Sequence, residues 1–426
     1  MLLGRTGCIL GDGGGKAGGT ARLAEGDIFN FRCSVSDDGK VMRKEERTPL
    51  GNADYRYSYD GKGHLTGVIR DGRAVEEYLY DSDGRRVEDY RESSGRRHFI
   101  YGYDGALIRV NDTFLEWTPK GQLQAVYSGN ERTVFEYGDD TRLDTAFLPS
   151  GDVVQYVYAK DLMPVRILVN QEPVYEYEWE NSLRLSRCRN LALGISYVFK
   201  YGSRRMPDWV FMQGDPGRIQ RLTGHYASRL TMRIWVDQVG SLRALSTNES
   251  KLITYVEYDA FGNVIRNTHP EWEFPLGFAG GLTDPFTGFT RFGFRDYDPV
   301  TGRFTTKDPL GDTGGDHDLW DYCVDDPVGC VDNDGLLAIK TILSAINSGA
   351  NIAGMGHVGL SFPTEVNAPE RIITIRQEYD RLKNTKSVYE GYKAWQLWQE
   401  DMELREKYKE HYQKYDDFYK DYPPIK

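Results

Sequence analysis

Val256-Glu-Tyr-Asp-Ala-Phe-Gly-Asn-Val-Ile265 reads as one complete structural unit. A short alternating run ends in an aromatic, Tyr258. Asp259 and Gly262 follow at fixed offsets, and a second alternating run leaves them. An aspartate and a glycine between two such runs specify a turn with a positive φ at the glycine, so the segment is a β-hairpin. Side chains alternate between the two faces of a strand, so the hairpin has one apolar face that it cannot bury alone.

The unit recurs upstream. Tyr57-Ser-Tyr-Asp-Gly-Lys-Gly63 leads into His64-Leu-Thr-Gly-Val-Ile69, and Tyr80-Asp-Ser-Asp-Gly84 begins 21 residues after Tyr59. Trp117-Thr-Pro-Lys-Gly121 keeps the same offset from aromatic to glycine, and Tyr103-Asp-Gly105 shortens it. Tyr137, Tyr158 and Tyr177 continue the beat at spacings of 21 and 19 without the glycine. Hairpins that share this deficiency stack, each burying its neighbour's apolar face, into one continuous sheet. The period alone also admits an ordinary sandwich, or a propeller whose blades each take two units.

Composition agrees with strands and tight turns. The 426 residues include 29 Tyr and 46 Gly, and 39% are hydrophobic. A net charge of -11 gives the sheet no electrostatic reason to bind nucleic acid or anionic membrane. The five cysteines, Cys8, Cys33, Cys188, Cys323 and Cys330, lack the spacing of a zinc site, so no metal or cofactor is expected. Cys323 and Cys330 lie seven apart, and free thiols are the preferred reading.

Met1-Leu-Leu-Gly-Arg5 lacks the basic start of a signal peptide, and a glycine-rich stretch from Gly11 to Gly19 follows it. No run of about 18 apolar residues exists, so no transmembrane segment is expected. Residues 1–50 read as a flexible lead-in. Export to the cell surface or beyond would need a specialised route; otherwise the chain stays cytoplasmic before delivery.

The densest pattern lies downstream, in Arg291-Phe-Gly-Phe-Arg-Asp-Tyr-Asp-Pro-Val-Thr-Gly-Arg-Phe-Thr-Thr-Lys-Asp-Pro-Leu310, followed by Asp325-Asp-Pro-Val-Gly-Cys-Val-Asp-Asn-Asp-Gly-Leu336. Tyr226 to Leu245 and Phe278-Ala-Gly-Gly-Leu-Thr-Asp-Pro-Phe-Thr-Gly288 lead into it. Together with the Tyr-Asp units, these segments resemble the Rhs/YD-repeat family, which includes Tc-toxin C components and teneurins. The resemblance covers about residues 50–336 and is most specific over 226–336.

It implies a mainly β fold: a spiral YD-repeat shell over 51–275, a core plug over 276–336, and a variable C-terminal domain over 337–426. Family shells come from longer chains, so a partial barrel is expected. The family's core cuts its own chain at an aspartyl-protease-like site. The matching positions here are Arg295, Asp296 and Asp308, with Leu336–Leu337 as the scissile bond and Asp332 and Gly335 in the cut motif. Two close carboxylates cannot both ionise, so one activates water while the other donates a proton. Arg295 would orient its neighbour or stabilise the oxyanion.

The chain departs from the family at Asn333, where the cut motif has proline, and at Asp312, where the first box has leucine. Asp318-Leu-Trp-Asp-Tyr322 keeps the aromatic character of its family counterpart. Without the resemblance, Asp296, Asp298 and Asp308 also read as turn formers, and Arg295 and Arg303 as ion-pair partners.

The tail, 337–426, carries 13 Lys/Arg and 13 Asp/Glu. Leu337 to Ala353 and Ile373 to Tyr419 read as helical, the latter with a stripe of Tyr392, Trp395, Trp398, Met402, Tyr408, Tyr412, Tyr415 and Phe418. A small, mostly α domain is expected. His357 with Ser361 is its catalytic-looking pair, and a histidine in an apolar glycine-rich turn reads more simply as structural. The resemblance makes this tail a toxin cargo, the protein's own first partner, and adds an immunity protein and secretion-system components as further partners. Two rivals stand beside it: a structural or adhesive YD surface protein, and an inactive Rhs remnant that neither cuts nor kills.

Overall fold

The computed structural model describes residues 28–340 apart from 139–141, 160–162, 182, 203, 310–317 and 337. The glycine-rich start, Asp312, the helices expected in the tail and the His357–Ser361 pair lie outside the described residues. Residues 30–48, expected from the sequence to belong to a flexible lead-in, are instead largely strand. Asn30–Val35 (β1) and Val41–Thr48 (β2) are paired strands, with Cys33 and Val41 buried.

The fold is mainly β. From β1 to β22 (Val264–Asn267) the chain is one antiparallel meander of 22 strands, each paired with the next. No ladder joins β1 to β22 among the described residues, so backbone pairing does not close the sheet into a barrel.

Each repeat is built alike. Asp60, Asp81 and Asp259 accept hydrogen bonds from the amides two and four residues on, for example Phe261 N at 3.0 Å and Asn263 N at 2.9 Å for Asp259. The glycines that complete these turns have φ of 93° at Gly63, 90° at Gly84 and 91° at Gly262, as the turn chemistry requires. At Gly262 a side chain is excluded twice over, because a Cβ would lie 2.5 Å from the Phe278 ring.

Six residues after the aromatic, the chain places an inward leucine: Leu65, Leu107, Leu123, Leu143 and Leu185 are all buried. The polar tip of the next aromatic reaches back to that position. Tyr80 Oη donates to Leu65 O at 2.8 Å, Trp117 Nε1 to Leu107 O at 2.6 Å, and Tyr158 Oη to Leu143 O at 2.9 Å. Each of these three units is therefore latched to its predecessor by one aromatic, which packs its ring and satisfies its own polar atom.

The sheet curls until its first and last strands meet, and among the described residues bonds made by side chains, not a backbone ladder, join them. Arg243 on β20 (Leu242–Thr247) forks onto Glu46 on β2 at 2.7 and 2.9 Å, and donates to Tyr255 Oη at 3.0 Å. Lys44 also holds Glu46, at 2.8 Å. Arg70 meets Glu257 at 3.1 Å, Arg91 meets Asp259 at 2.8 Å, and the Ala260 amide donates to Glu76 at 3.0 Å. Burial alone would raise the Glu46 pKa, but Arg243 and Lys44 outweigh it and hold the carboxyl down at about 2. Glu76 goes the other way. Burial, reinforced by Asp259, pushes it up to about 7 against the pull of Tyr78, the Ala260 amide and Arg91.

Removing one partner of a buried ion pair strands the other. Arg243→Ala should therefore cost about 3–5 kcal/mol, read from urea unfolding, and Arg243→Met with Glu46→Leu should recover most of it. Glu76 gives the seam a pH dependence of fixed sign. Its folded pKa is raised, so the folded state binds the proton more tightly, and its contribution is full below about 4.5 and lost as pH rises through about 7. Unfolding midpoints measured from pH 4.5 to 7.5 should fall more steeply for wild type than for Glu76→Gln.

Candidate functional site

Inside the curl, the described residues of 278–336 form a compact plug. Leu282–Thr283 (β23), Thr290–Phe292 (β24), Arg295–Asp298 (β25) and Arg303–Phe304 (β26) make a four-stranded sheet. Its centre is aromatic. Phe278, Phe292, Tyr297, Phe304 and Tyr322 touch ring to ring, with Tyr297 and Tyr322 centroids 4.7 Å apart. Polar bonds seat the plug on the shell: Leu123 N donates to Thr305 O at 2.7 Å, Tyr297 Oη to Phe261 O at 2.7 Å, and Lys40 pairs with Asp326 at 2.9 Å.

Arg295 stands in this apolar centre, its guanidinium 3.6 Å from the Phe304 ring centroid. A buried cation needs compensation from every side. It bonds Asp308 at 2.9 Å, Asp332 at 3.3 Å, the carbonyl of Leu319 at 3.2 Å, and the carbonyl of Gly335. Asp332 Oδ1 in turn accepts the amides of Gly335 at 2.8 Å and Leu336 at 3.0 Å, and Asp334 Oδ1 accepts the Leu336 amide at 3.2 Å. Residues 332–336 are thus wound into a tight turn, and Leu336 is buried.

The turn fits because two glycines meet. At Gly293 (φ 45°) a Cβ would fall 2.4 Å from Asp334 O, and at Gly335 (φ 73°) 2.4 Å from Phe292 O. Past the turn, Ala338–Lys340 (β28) pairs antiparallel with Cys330–Asp332 (β27), with Asp332 opposite Ala338. The Leu336–Leu337 peptide link lies in the connection between these two strands.

Of the residues picked from the sequence, Arg295, Asp308, Asp332, Gly335 and Leu336 come together, while Leu337 lies outside the described residues. Asp296 has a different partner. It follows Arg295 on β25 and so points to the opposite face, where it pairs with Arg291 across the hairpin at 2.7 Å. The charge of Asp296 bears on Tyr137 and Tyr158 of the shell. Burial raises its pKa, and Arg291 opposes the rise. The carboxylate that shares Arg295 with Asp308 is Asp332. Strand alternation at 295–296 is the signal that separates the two faces. Among the described residues no group of His, Cys, Asp and Glu side chains has the geometry to hold a metal ion, and no helix is long and apolar enough to cross a membrane.

Residues 201–314 match the family model described as Teneurin YD-shell. Mouse (Mus musculus) teneurin-3 is 24% identical over 292 residues, covering 63% of this chain. The double-stranded DNA deaminase toxin A of Burkholderia cenocepacia (strain H111) is 27% identical over 304 residues, covering 66%. The chain is an Rhs/YD-repeat protein. It spans only 10% of the teneurin and 21% of the toxin. Among solved structures, a Photorhabdus luminescens Tc holotoxin pore aligns with 77% of this Rhs/YD-repeat chain and 18% of its own, at 15% identity and a TM-score of 0.41.

The glycine at the turn is the sharpest local test. Gly335→Ala must move either the turn or the Phe292–Arg295 backbone, at a cost of about 1–3 kcal/mol for the strained conformation. A lowered unfolding midpoint is expected; an unchanged one would mean that 332–336 does not dock against 292–295.

Proposed function

We propose that this chain is the shell and plug of an Rhs-type toxin that cuts itself once, between Leu336 and Leu337, and so separates residues 337–426 as cargo. The observation that carries the reading is the Arg295 side chain, which binds Asp308, Asp332 and the Gly335 carbonyl at once, one residue from the bond. In this scheme Arg295 keeps Asp308 ionised, and Asp308 takes a proton from water. The water oxygen bonds to the Leu336 carbonyl carbon, the bond to the Leu337 nitrogen breaks, and that nitrogen takes a proton from Asp296, which leaves Asp308 protonated and Asp296 ionised until both exchange protons with solvent.

Asp296 is the proton donor of the scheme; burial raises its pKa against the pull of Arg291, and its carboxyl must leave Arg291 to act. Substrate and catalyst belong to one chain, so proximity supplies much of the rate. Asn333 replaces the rigid proline of the cut motif, and the Asp332 bonds to the Gly335 and Leu336 amides offer the rigidity that the proline would give. The same proposal includes a specialised export route, an immunity partner for the cargo, and a shell that does not bind nucleic acid.

A structural or adhesive role has one observation in its favour. Leu79, Ile100 and Phe114 are exposed on the outer face of the sheet.

Denaturing intact-mass measurement separates the readings. Wild type should split after Leu336, and Asp308→Asn and Asp296→Asn should each stay whole. An uncut wild type would sink the protease and leave the structural role standing. Cleavage in Asp296→Asn would confine that residue to its ion pair with Arg291.

A further inference from the structure

We propose that Arg205, which the shell carries into the plug, is a positioning residue of the cut turn: it steadies Asp334 and Asp332, and through them the Leu336 amide. This rests on the proposed cleavage and adds to it a residue from a distant part of the chain.

The shell builds a fixed support for Arg205. The residue stands in the connection between Ile195–Lys200 (β17) and Trp209–Gln213 (β18). The Asp208 amide donates to Lys200 O at 2.9 Å, and the Ile234 amide donates to Asp208 O at 3.0 Å. Tyr201 Oη donates to Leu185 O at 2.9 Å, and Arg204 pairs with Asp208. Met206 is buried against Gly280 of the plug, where a Cβ would lie 2.8 Å from its Sδ. Both chain neighbours of Arg205 are thus pinned, and its own Nη1 donates to Ala279 O.

That bond leaves most of a guanidinium's donors to be answered. Nε is shut off from solvent and has no acceptor among the described residues. Burial lowers the Arg205 pKa, and Tyr322, then Asp332 and Asp334, oppose the fall. Tyr322 is itself pushed well above its usual range by burial, so it stays neutral and the two aspartates supply the charge that faces Arg205. These are the carboxylates that accept the Leu336 amide, Asp332 Oδ1 at 3.0 Å and Asp334 Oδ1 at 3.2 Å.

The site needs a second cation. Asp308 and Asp332 share Arg295, and Asp334 brings a third carboxylate to the same turn. Carboxylates converging on one amide repel each other. Arg205 offsets that repulsion from the shell side and keeps the turn wound. A scissile link that drifts by about an ångström loses much of the rate that proximity supplies.

Hydrogen exchange in the uncut Asp308→Asn chain tests the clamp without relying on cleavage. Adding Arg205→Met should speed exchange of the Gly335 and Leu336 amides at least about tenfold, while Arg205→Lys, which keeps the charge, should speed it less. Unchanged exchange in Arg205→Met, or Arg205→Lys no better than Arg205→Met, would overturn the proposal. If Arg205→Met does not fold, Arg205→Gln takes its place. Cutting is read on freshly translated, pulse-labelled chains with Asp308 intact. Arg205→Met should cut at least about tenfold more slowly. Asp334→Asn should also be slow, and the two together no slower than the slower single variant, because both break one contact. Effects that multiply would confine Arg205 to its bond with Ala279 and overturn the positioning role. A wild type that stays whole removes the cleavage reading, and the exchange comparison alone then decides whether Arg205 holds the turn.

Discussion

A guanidinium placed among aromatic rings has to be neutralised where it stands. Arg295 sits against Phe304, next to the cluster of Phe292, Tyr297 and Tyr322, and water cannot reach it to share the charge. Its compensation comes from three separate stretches of chain: Asp308 after β26, Leu319 in the returning segment, and Asp332 with Gly335 in the last turn. The demand of one buried cation thus draws the plug together and fixes the turn before Leu336. The geometry that would favour hydrolysis is, at the same time, what makes the plug cohere.

The shell solves the same problem on a larger scale. A hairpin with one apolar face needs neighbours, and latches such as those from Tyr80, Trp117 and Tyr158 to the preceding leucine carbonyl hold them in sequence order. What the meander lacks is a partner for its first and last strands. Arg243, Glu46, Arg91 and Asp259 join those ends through buried ion pairs in place of a backbone ladder. Such pairs are costly to desolvate and costly to break, so they hold the curl in one register without sealing it. Arg86 shows how repeat and plug are coupled. It occupies the position where other units carry leucine, and its guanidinium packs on the Phe261 ring and donates to the plug carbonyl of Thr301.

Much of this architecture is legible in the sequence. Aromatic-Asp-x-x-Gly spacing locates the hairpins because turn chemistry is local, and Asp308 is a partner of Arg295 as the motif implies. Long-range and face-dependent features are harder to read. β1 and β2 lack the Tyr-Asp signature, so they read as part of the lead-in, although Cys33 and Val41 point inward. Adjacency groups Asp296 with Arg295, while strand alternation sends the two to opposite faces. Asp332 reads as part of the cut motif, and only the folded turn brings its carboxylate onto Arg295. The Arg243–Glu46 seam joins residues 197 apart, and no local pattern encodes which charges will meet across that distance.

The most direct measurement is a high-resolution crystal structure of the Asp308→Asn chain. The expected result is an unbroken chain through 336–337, Leu336 buried, and the Arg295 guanidinium bonded to both the Asp332 carboxylate and the Gly335 carbonyl. An Arg295 turned toward Asp296, or a 332–336 turn lying outside the plug, would contradict the account.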